Sequence, residues 1–453
     1  MNNSTFQFSN FHLLAAIIFI FLNLIFHSFS SPDAIYVHGA DASRYYSSAM
    51  SLINGNGFGS ILGAGPIYPL FLALHYSILG FDYGNVLLVA SQSLLLYTTG
   101  FIAGKLALKL STDLNGWLVL ALVIFNPNSL ITAHLVQTET LFTLFFVTYL
   151  YLFAILFKKG KYLLFLSLFA VLVSLTRPAG MYVMVLFFVP AFIFALNNSI
   201  RWRRFIYINA VYYLVLSIGL GLWALNNSLK YGEFFISANQ SSVMNDQYIA
   251  LLQYGKGMSQ IDAQRRSDNV FKKVVAEKNL ACPRGLSSLE CKNDVSRAYI
   301  KAMFDEKPLV LLNAVSTSVL SVMFSGGASN FANYFGIENK NAVHFHEKSE
   351  GGMLSYSKAF DFIKSVNVKY LIALLLFWGF SLIIKILMMF GIWSIFKNSI
   401  NIHIMLSLSF FVLLFIAEYM FLGQSRWRVP LDPFFIIIAS QGIYYISHLF
   451  KRK

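Results

Sequence analysis

Long uncharged apolar runs alternate with short polar segments along almost the whole chain. By hydropathy the runs fall near Phe11–Phe29, Asn85–Leu108, Gly116–Ile131, Thr140–Phe157, Tyr162–Leu175, Met181–Leu196, Phe205–Leu225, Val368–Ile386, Ile402–Leu422 and Phe434–Leu449. Most come close to the roughly 20 residues that cross a hydrocarbon layer of about 30 Å as a helix. The pattern predicts an all-α polytopic membrane protein of about ten transmembrane helices, with both termini on one side.

Two longer segments interrupt the rhythm. Residues 30–84 contain an apolar stretch, Pro69–Leu79, too short to cross and expected to lie along the interface as an amphipathic helix. Residues 226–367 mix polar runs with Pro308–Phe324, expected as a surface-lying or re-entrant helix. The chain therefore divides into a transmembrane module over 1–225 that includes the loop 30–84, a large loop over 226–367 with its interfacial helix, and a C-terminal module of three helices over 368–453. No internal repeat or low-complexity linker is visible.

Composition agrees. The chain is 57% apolar and 12% charged, with a mean hydropathy of +0.63, whereas soluble domains carry roughly 25% charged residues. The net charge of +14 comes from 34 Lys+Arg against 20 Asp+Glu. The cations cluster between apolar runs, at Lys105/Lys109, Lys158/Lys159/Lys161, Arg201/Arg203/Arg204, Lys397 and Lys451/Arg452/Lys453. These fall on alternate loops, the positive-inside signature of cytoplasmic loops, which argues against nucleic-acid binding. The first ten residues hold no Lys or Arg, so the first run is expected to be a retained anchor rather than a cleaved signal. Both long segments then lie outside the cytoplasm. The two cysteines, Cys282 and Cys291, lie in the second of them, where a disulfide is the natural expectation and two free thiols the alternative.

The outer segments carry a set of short motifs. His38-Gly39-Ala40-Asp41-Ala42-Ser43-Arg44-Tyr45-Tyr46 is followed by Ala49, Leu52, Gly55, Gly57 and Pro66-Ile67-Tyr68-Pro69. Thr138-Glu139 opens the fourth run, Arg177-Pro178 ends the fifth, and Gln424–Pro433 (QSRWRVPLDP) joins the last two. In this order, and all on the expected outer face, they resemble the GT-C glycosyltransferases, whose first external loop begins an interfacial helix with an Asp. The closest branch depends on polyprenyl-phosphate sugars and includes protein O-mannosyltransferases and the lipid A aminoarabinose transferase. The sequence departs from it at Asn226-Asn227, where relatives commonly show Arg-Asn.

The resemblance implies displacement at an anomeric carbon with a polyprenyl phosphate leaving, the acceptor lying outside the cytoplasm. Asp41 is the candidate catalytic base, and a single carboxylate without a protein nucleophile implies inversion. Without the motif, Asp41 would read as a solvated turn residue. Arg426, Arg428 and Arg177 are candidate ligands of the donor phosphate, since guanidinium forks match phosphate oxygens. Snorkelling to headgroups is the plainer alternative for the first two, and simple exposure for Arg177. Glu139, Tyr45 and Tyr68 are expected in the substrate-site wall, with helix-end stabilisation the competing role for Glu139. Glu418 is expected to pair with a neighbouring basic residue. Tyr231–Ser237 (YGEFFIS) could stack on a sugar or form an aromatic belt.

His344-Phe345-His346-Glu347 has no second ligand cluster, so no metal and no cofactor is expected, beyond a weak divalent-cation dependence known in some relatives. Two other classes fit a basic polytopic chain. A flippase or transporter of lipid-linked glycans would favour repeats and midplane charges. An O-antigen polymerase or ligase would rest on loop arginines such as Arg265, Arg266, Arg284 and Arg297. The expected partners are the lipid-linked donor, the acceptor and membrane lipid, and the expected location is a bacterial inner membrane with the site facing outward.

Overall fold

The computed structural model describes residues 10–31, 39–59, 64–111, 115–156, 162–197, 200–238, 240–278, 289–324, 327–337, 367–397, 402–418, 421–422 and 425–451. Every regular element among them is helical. In order they are α1 (Asn10–Ser28), α2 (Gly39–Ile53), α3 (Ile67–Leu110), α4 (Gly116–Ile124), α5 (Pro127–Thr132), α6 (Glu139–Leu156), α7 (Leu163–Thr176), α8 (Pro178–Val185), α9 (Phe188–Asn197), α10 (Trp202–Tyr231), α11 (Gln240–Lys256), α12 (Gln260–Lys278), α13 (Leu289–Phe304), α14 (Pro308–Phe324), α15 (Ala328–Tyr334), α16 (Val368–Lys397), α17 (Ile402–Glu418) and α18 (Asp432–Lys451). A single 3₁₀ turn, Ser425–Arg428, joins α17 to α18.

Seven described helical stretches are long and apolar enough to cross a membrane, or eight if the bent pair Cys291–Phe304 and Pro308–Phe324 is one span. Among the described residues three of the ten expected crossings fall short, two of them for a local reason. The run 116–131 is broken at Asn126-Pro127, where the Asn126 side chain caps α5 and proline opens it. The run 162–175 ends after 14 helical residues because Pro178 forces Arg177 into an extended conformation. In the last, 402–422, the described helix covers the 17 residues Ile402–Glu418.

The solvent-facing residues show which medium the bundle suits. On α1, Phe11, Leu14, Ile17, Phe21 and Leu22 are exposed, while His12 and Asn23 are buried. A helix with aliphatic side chains outward and polar ones inward belongs in lipid, where hydrogen-bonding groups are best satisfied against protein. The same holds for α16, which exposes Leu375, Leu376, Trp378 and Met389 but buries Ser381 and Lys385.

At the centre, α6 is buried along most of its length by α3 and α7. The first long segment folds as α2 lying on α3. Ala42 and Ala49 meet Tyr68, Leu72 and Tyr76, and the α3 backbone breaks at Gly80 (φ 68°), where α3 turns from this packing surface into the following apolar helix. Within the second segment, α11 to α14 share their own core of Tyr248, Leu251, Leu252, Val295 and Tyr299, joined by Phe421 from beyond α17. α13 and α14 meet at a bend of 105°. Cys291 is buried and disulfide-bonded, and Cys282, the only other cysteine of the sequence, lies outside the described residues, as do His344, His346 and Glu347. The module boundary placed at 225/226 falls inside α10, which runs past Asn226-Asn227 to a left-handed Gly232.

The C-terminal pair α16 and α18 pack closely because small residues allow it. A Cβ on Gly391 would strike the Ile438 carbonyl, and one on Gly442 the Leu387 carbonyl. Gly391→Leu and Gly442→Leu are each expected to destabilise the detergent-purified protein by about 2 kcal/mol or more, read as a lowered thermal midpoint. Gly379, which has open space around it, should tolerate alanine without such a loss.

Candidate functional site

Four chain segments distant in sequence converge at one end of the bundle. The first turn of α2 brings Asp41, the start of α6 brings Glu139, the α7–α8 joint brings Arg177, and the 3₁₀ turn brings Arg426 and Trp427. Arg426 Nη1 donates to Asp41 Oδ2 at 2.8 Å, and Arg44 Nη1 stands 3.9 Å from Asp41 Oδ1. Arg177 Nη1 donates to Glu139 Oε1 at 3.0 Å, with both side chains buried. The indole of Trp427 links the two pairs, since the Arg426 guanidinium lies 4.4 Å and that of Arg177 4.5 Å from the ring centre.

Local sequence explains each placement. Arg177 precedes Pro178, so it cannot continue α7 and takes an extended conformation at the joint with α8. Gly65 lets the α2–α3 connection press on the end of α7, since a Cβ there would strike the Leu175 carbonyl. Glu139 sits in the first turn of α6, where the helix dipole favours an acid. It therefore fills the helix-end role and the ion pair together.

Beside these pairs lies a cavity of about 860 Å³, lined by Asp41, Arg44, Tyr45, Arg177, Glu418 and Trp427 among others. Phe234, Phe235, Ile236 and Ser237 form part of its wall. They are fixed in place by Asn227, whose Nδ2 donates to the Phe235 carbonyl at 2.9 Å, and by Trp223, whose Nε1 donates to the Ile236 carbonyl at 3.0 Å. Asn227, which follows the departing Asn226, thus holds a wall of the cavity.

Tyr45 lines the cavity one helical turn after Asp41. Burial pushes its phenol up to about 12, with Asp41 adding to the rise, and a hydrogen bond with Thr138 opposes it. The group stays neutral through the physiological range and can serve as donor or acceptor. Tyr68 lies beneath, its ring edge-on to Tyr45 at 5.1 Å and its hydroxyl donating to Gln92 Oε1 at 3.3 Å. It supports the wall without lining it.

Arg428 is placed elsewhere. Its Nε lies 2.9 Å from Asp432 Oδ1, and its Nη1 donates to the carbonyls of Val322 (3.2 Å) and Met323 (2.8 Å) and to Ser381 Oγ (3.0 Å). Asp432 in turn accepts from Asn126 Nδ2 at 2.9 Å. This buried network ties the end of α14 to α16 and α18, and cations at a helix C-terminus stabilise its last carbonyls. The expected grouping of Arg428 with the phosphate ligands is not what this geometry offers. It is a structural tie, pointing away from the cavity that Trp427 lines.

Two participants escaped the sequence reading. Trp427 joins both arginines, and only its place between them hinted at it. Asp246 on α11 is electrostatically coupled to Asp41 and Arg426. Partial desolvation raises its carboxyl above the usual carboxylate range, a bond from Asn245 opposes the rise, and Asp41 adds to it. Nothing in the polar run around Asn245 marks it from sequence. Among the described residues, no group of three or more His, Cys, Asp or Glu stands close enough to hold a metal ion.

Compared with known proteins, the chain matches no family model, no curated protein and no solved structure.

Removing one partner of the buried Arg177–Glu139 pair leaves an uncompensated charge. Arg177→Met should cost about 3–5 kcal/mol, seen as a lowered thermal midpoint, and adding Glu139→Gln should recover much of the loss. A double variant as unstable as the single one would show that Arg177 acts through something other than its pairing with Glu139.

Proposed function

We propose that the protein is a membrane glycosyltransferase that moves a sugar from a polyprenyl-phosphate donor to a hydroxyl acceptor outside the cytoplasm. The observation that carries this reading is the pairing of Asp41, which lines the cavity, with Arg426, a carboxylate and a guanidinium within 2.8 Å of each other. Arg426 keeps donors in reserve. Its Nε is buried with no hydrogen-bond acceptor among the described residues, and a phosphate oxygen would supply one.

In this reading the donor phosphate enters beside Arg426 and competes with Asp41 for the guanidinium. The released carboxylate turns to the acceptor hydroxyl. As the acceptor oxygen bonds to the anomeric carbon, its proton passes to Asp41, and the carbon–oxygen bond to the phosphate breaks with its electron pair. The phosphate leaves as an anion held by Arg426, with Arg44 and Arg177 adding positive potential. Attack and departure occur on opposite faces of the carbon, so configuration inverts. Tyr45, neutral and hydrogen-bonded at the cavity wall, orients rather than reacts. A bacterial inner membrane, with the site facing outward, is the location that the charge pattern and donor chemistry favour.

The test is transfer by purified protein from radiolabelled polyprenyl-phosphate sugars, with Asp41→Asn beside wild type. Loss of a general base should lower turnover by about 10²–10⁴-fold while donor binding survives. Undiminished transfer by Asp41→Asn, or a product of retained configuration, would remove the assignment. Wild-type binding without transfer, across all donors, would favour a flippase.

A further inference from the structure

The cavity holds one acidic group that the proposed reaction leaves without a task. Glu418 ends α17 and lines the cavity with Leu414 and Ala417 of the same helix. Its position is fixed from outside by Gln247 of α11. Gln247 Nε2 donates to the Glu418 carbonyl oxygen at 3.1 Å, and the Phe421 N–H donates to Gln247 Oε1 at 2.9 Å. One side chain thus clamps the helix end and the chain just beyond it.

The carboxyl itself is not served in this way. Glu418 Oε2 is buried and receives no hydrogen bond among the described residues. The charge acting on it is Arg177, whose Nη1 is already given to Glu139. Met181, Val183 and Leu186 are among the apolar residues of the same lining. A carboxyl oxygen kept from water without a donor is costly. A ligand that fills the cavity can bring the missing donor.

We infer that Glu418 determines specificity by accepting a hydrogen bond from a hydroxyl of the transferred sugar. This rests on the reading of the cavity as the site of a lipid-phosphate sugar. Charge assigns the two ends of that ligand. The guanidinium of Arg426 attracts the phosphate, and the sugar is left facing Glu418. The terminal torsion of a glutamate is broad, so either oxygen can turn toward the ligand. An isoprenoid tail brings no donor, and the sugar brings several. A site built to bond a hydroxyl rejects analogues that lack it, because its own polar group is then left unpaired.

The experiment compares two probes on Glu418→Gln and Glu418→Leu: bare polyprenyl phosphate, and polyprenyl phosphate carrying a hexose. Glu418→Leu should weaken the hexose lipid by about tenfold or more, Glu418→Gln by less because its amide oxygen still accepts, and both should leave the bare lipid within about twofold. Single deoxy-hexose donors add a readout that a merely structural role would not move. The donor lacking the contacted hydroxyl should bind wild type weakly and be indifferent to the substitution. Glu418→Gln keeps the shape of the side chain, and its thermal midpoint should match wild type. Equal loss for both lipids overturns the inference and makes Glu418 a support of the fold, and no loss for either overturns it too. Failure of wild type to bind bare polyprenyl phosphate overturns the donor-site reading, and this inference with it.

Discussion

A carboxylate and a guanidinium 385 residues apart in sequence meet at 2.8 Å, and the functional architecture depends on that meeting. Asp41 opens the helix after the first apolar span, and Arg426 lies in the turn before the last. Their contact requires both turns to lie at the same end of the bundle. Neither side chain is fully buried, so the pair is a modest contributor to stability and remains free to exchange partners. The contrast with Arg177–Glu139 is physical. That pair is nearly sealed, and its loss would leave a buried charge. One pair is sealed inside the bundle, and the other is partly exposed.

The 3₁₀ turn explains how two arginines separated by one residue take different tasks. In an extended strand Arg426 and Arg428 would share a face. With about three residues per turn they point some 120° apart, one toward Asp41 and the other into the Asp432–Ser381 network. Trp427 between them takes the remaining direction, where it meets both Arg177 and Arg426. The buried network also anchors the turn to α14 and α16. The position of Arg426 is thereby set by Arg428, and the cavity edge inherits the rigidity of the bundle.

What was legible in the chain was its solvent and the order of its outer motifs. Twenty-residue apolar runs admit few structures in lipid other than helices, so α1, α6, α10 and α16 follow from composition alone. The convergence of Asp41, Glu139, Arg177 and Arg426 was legible only as a shared face; their pairing depends on three-dimensional packing. Arg428 was misplaced because alternation along a sequence says nothing about whether the backbone is extended or coiled. The broken run at Asn126-Pro127 was visible in principle, since asparagine followed by proline is a helix-opening signal. Apolarity alone concealed it. Glu418 carried the right alarm, a carboxylate at the end of an apolar run. The basic group whose charge acts on it is Arg177, which hydrogen-bonds Glu139.

The contact between Asp41 and Arg426 can be tested in intact membranes without any substrate. Asp41→Cys and Arg426→Cys would be treated, singly, with a membrane-impermeant maleimide from each side of the bilayer, and together with a short bifunctional maleimide. Labelling of both from one side, and cross-linking of the double variant, is the expected result. Labelling from opposite sides would contradict a shared site, and the proposed chemistry would have no place to occur.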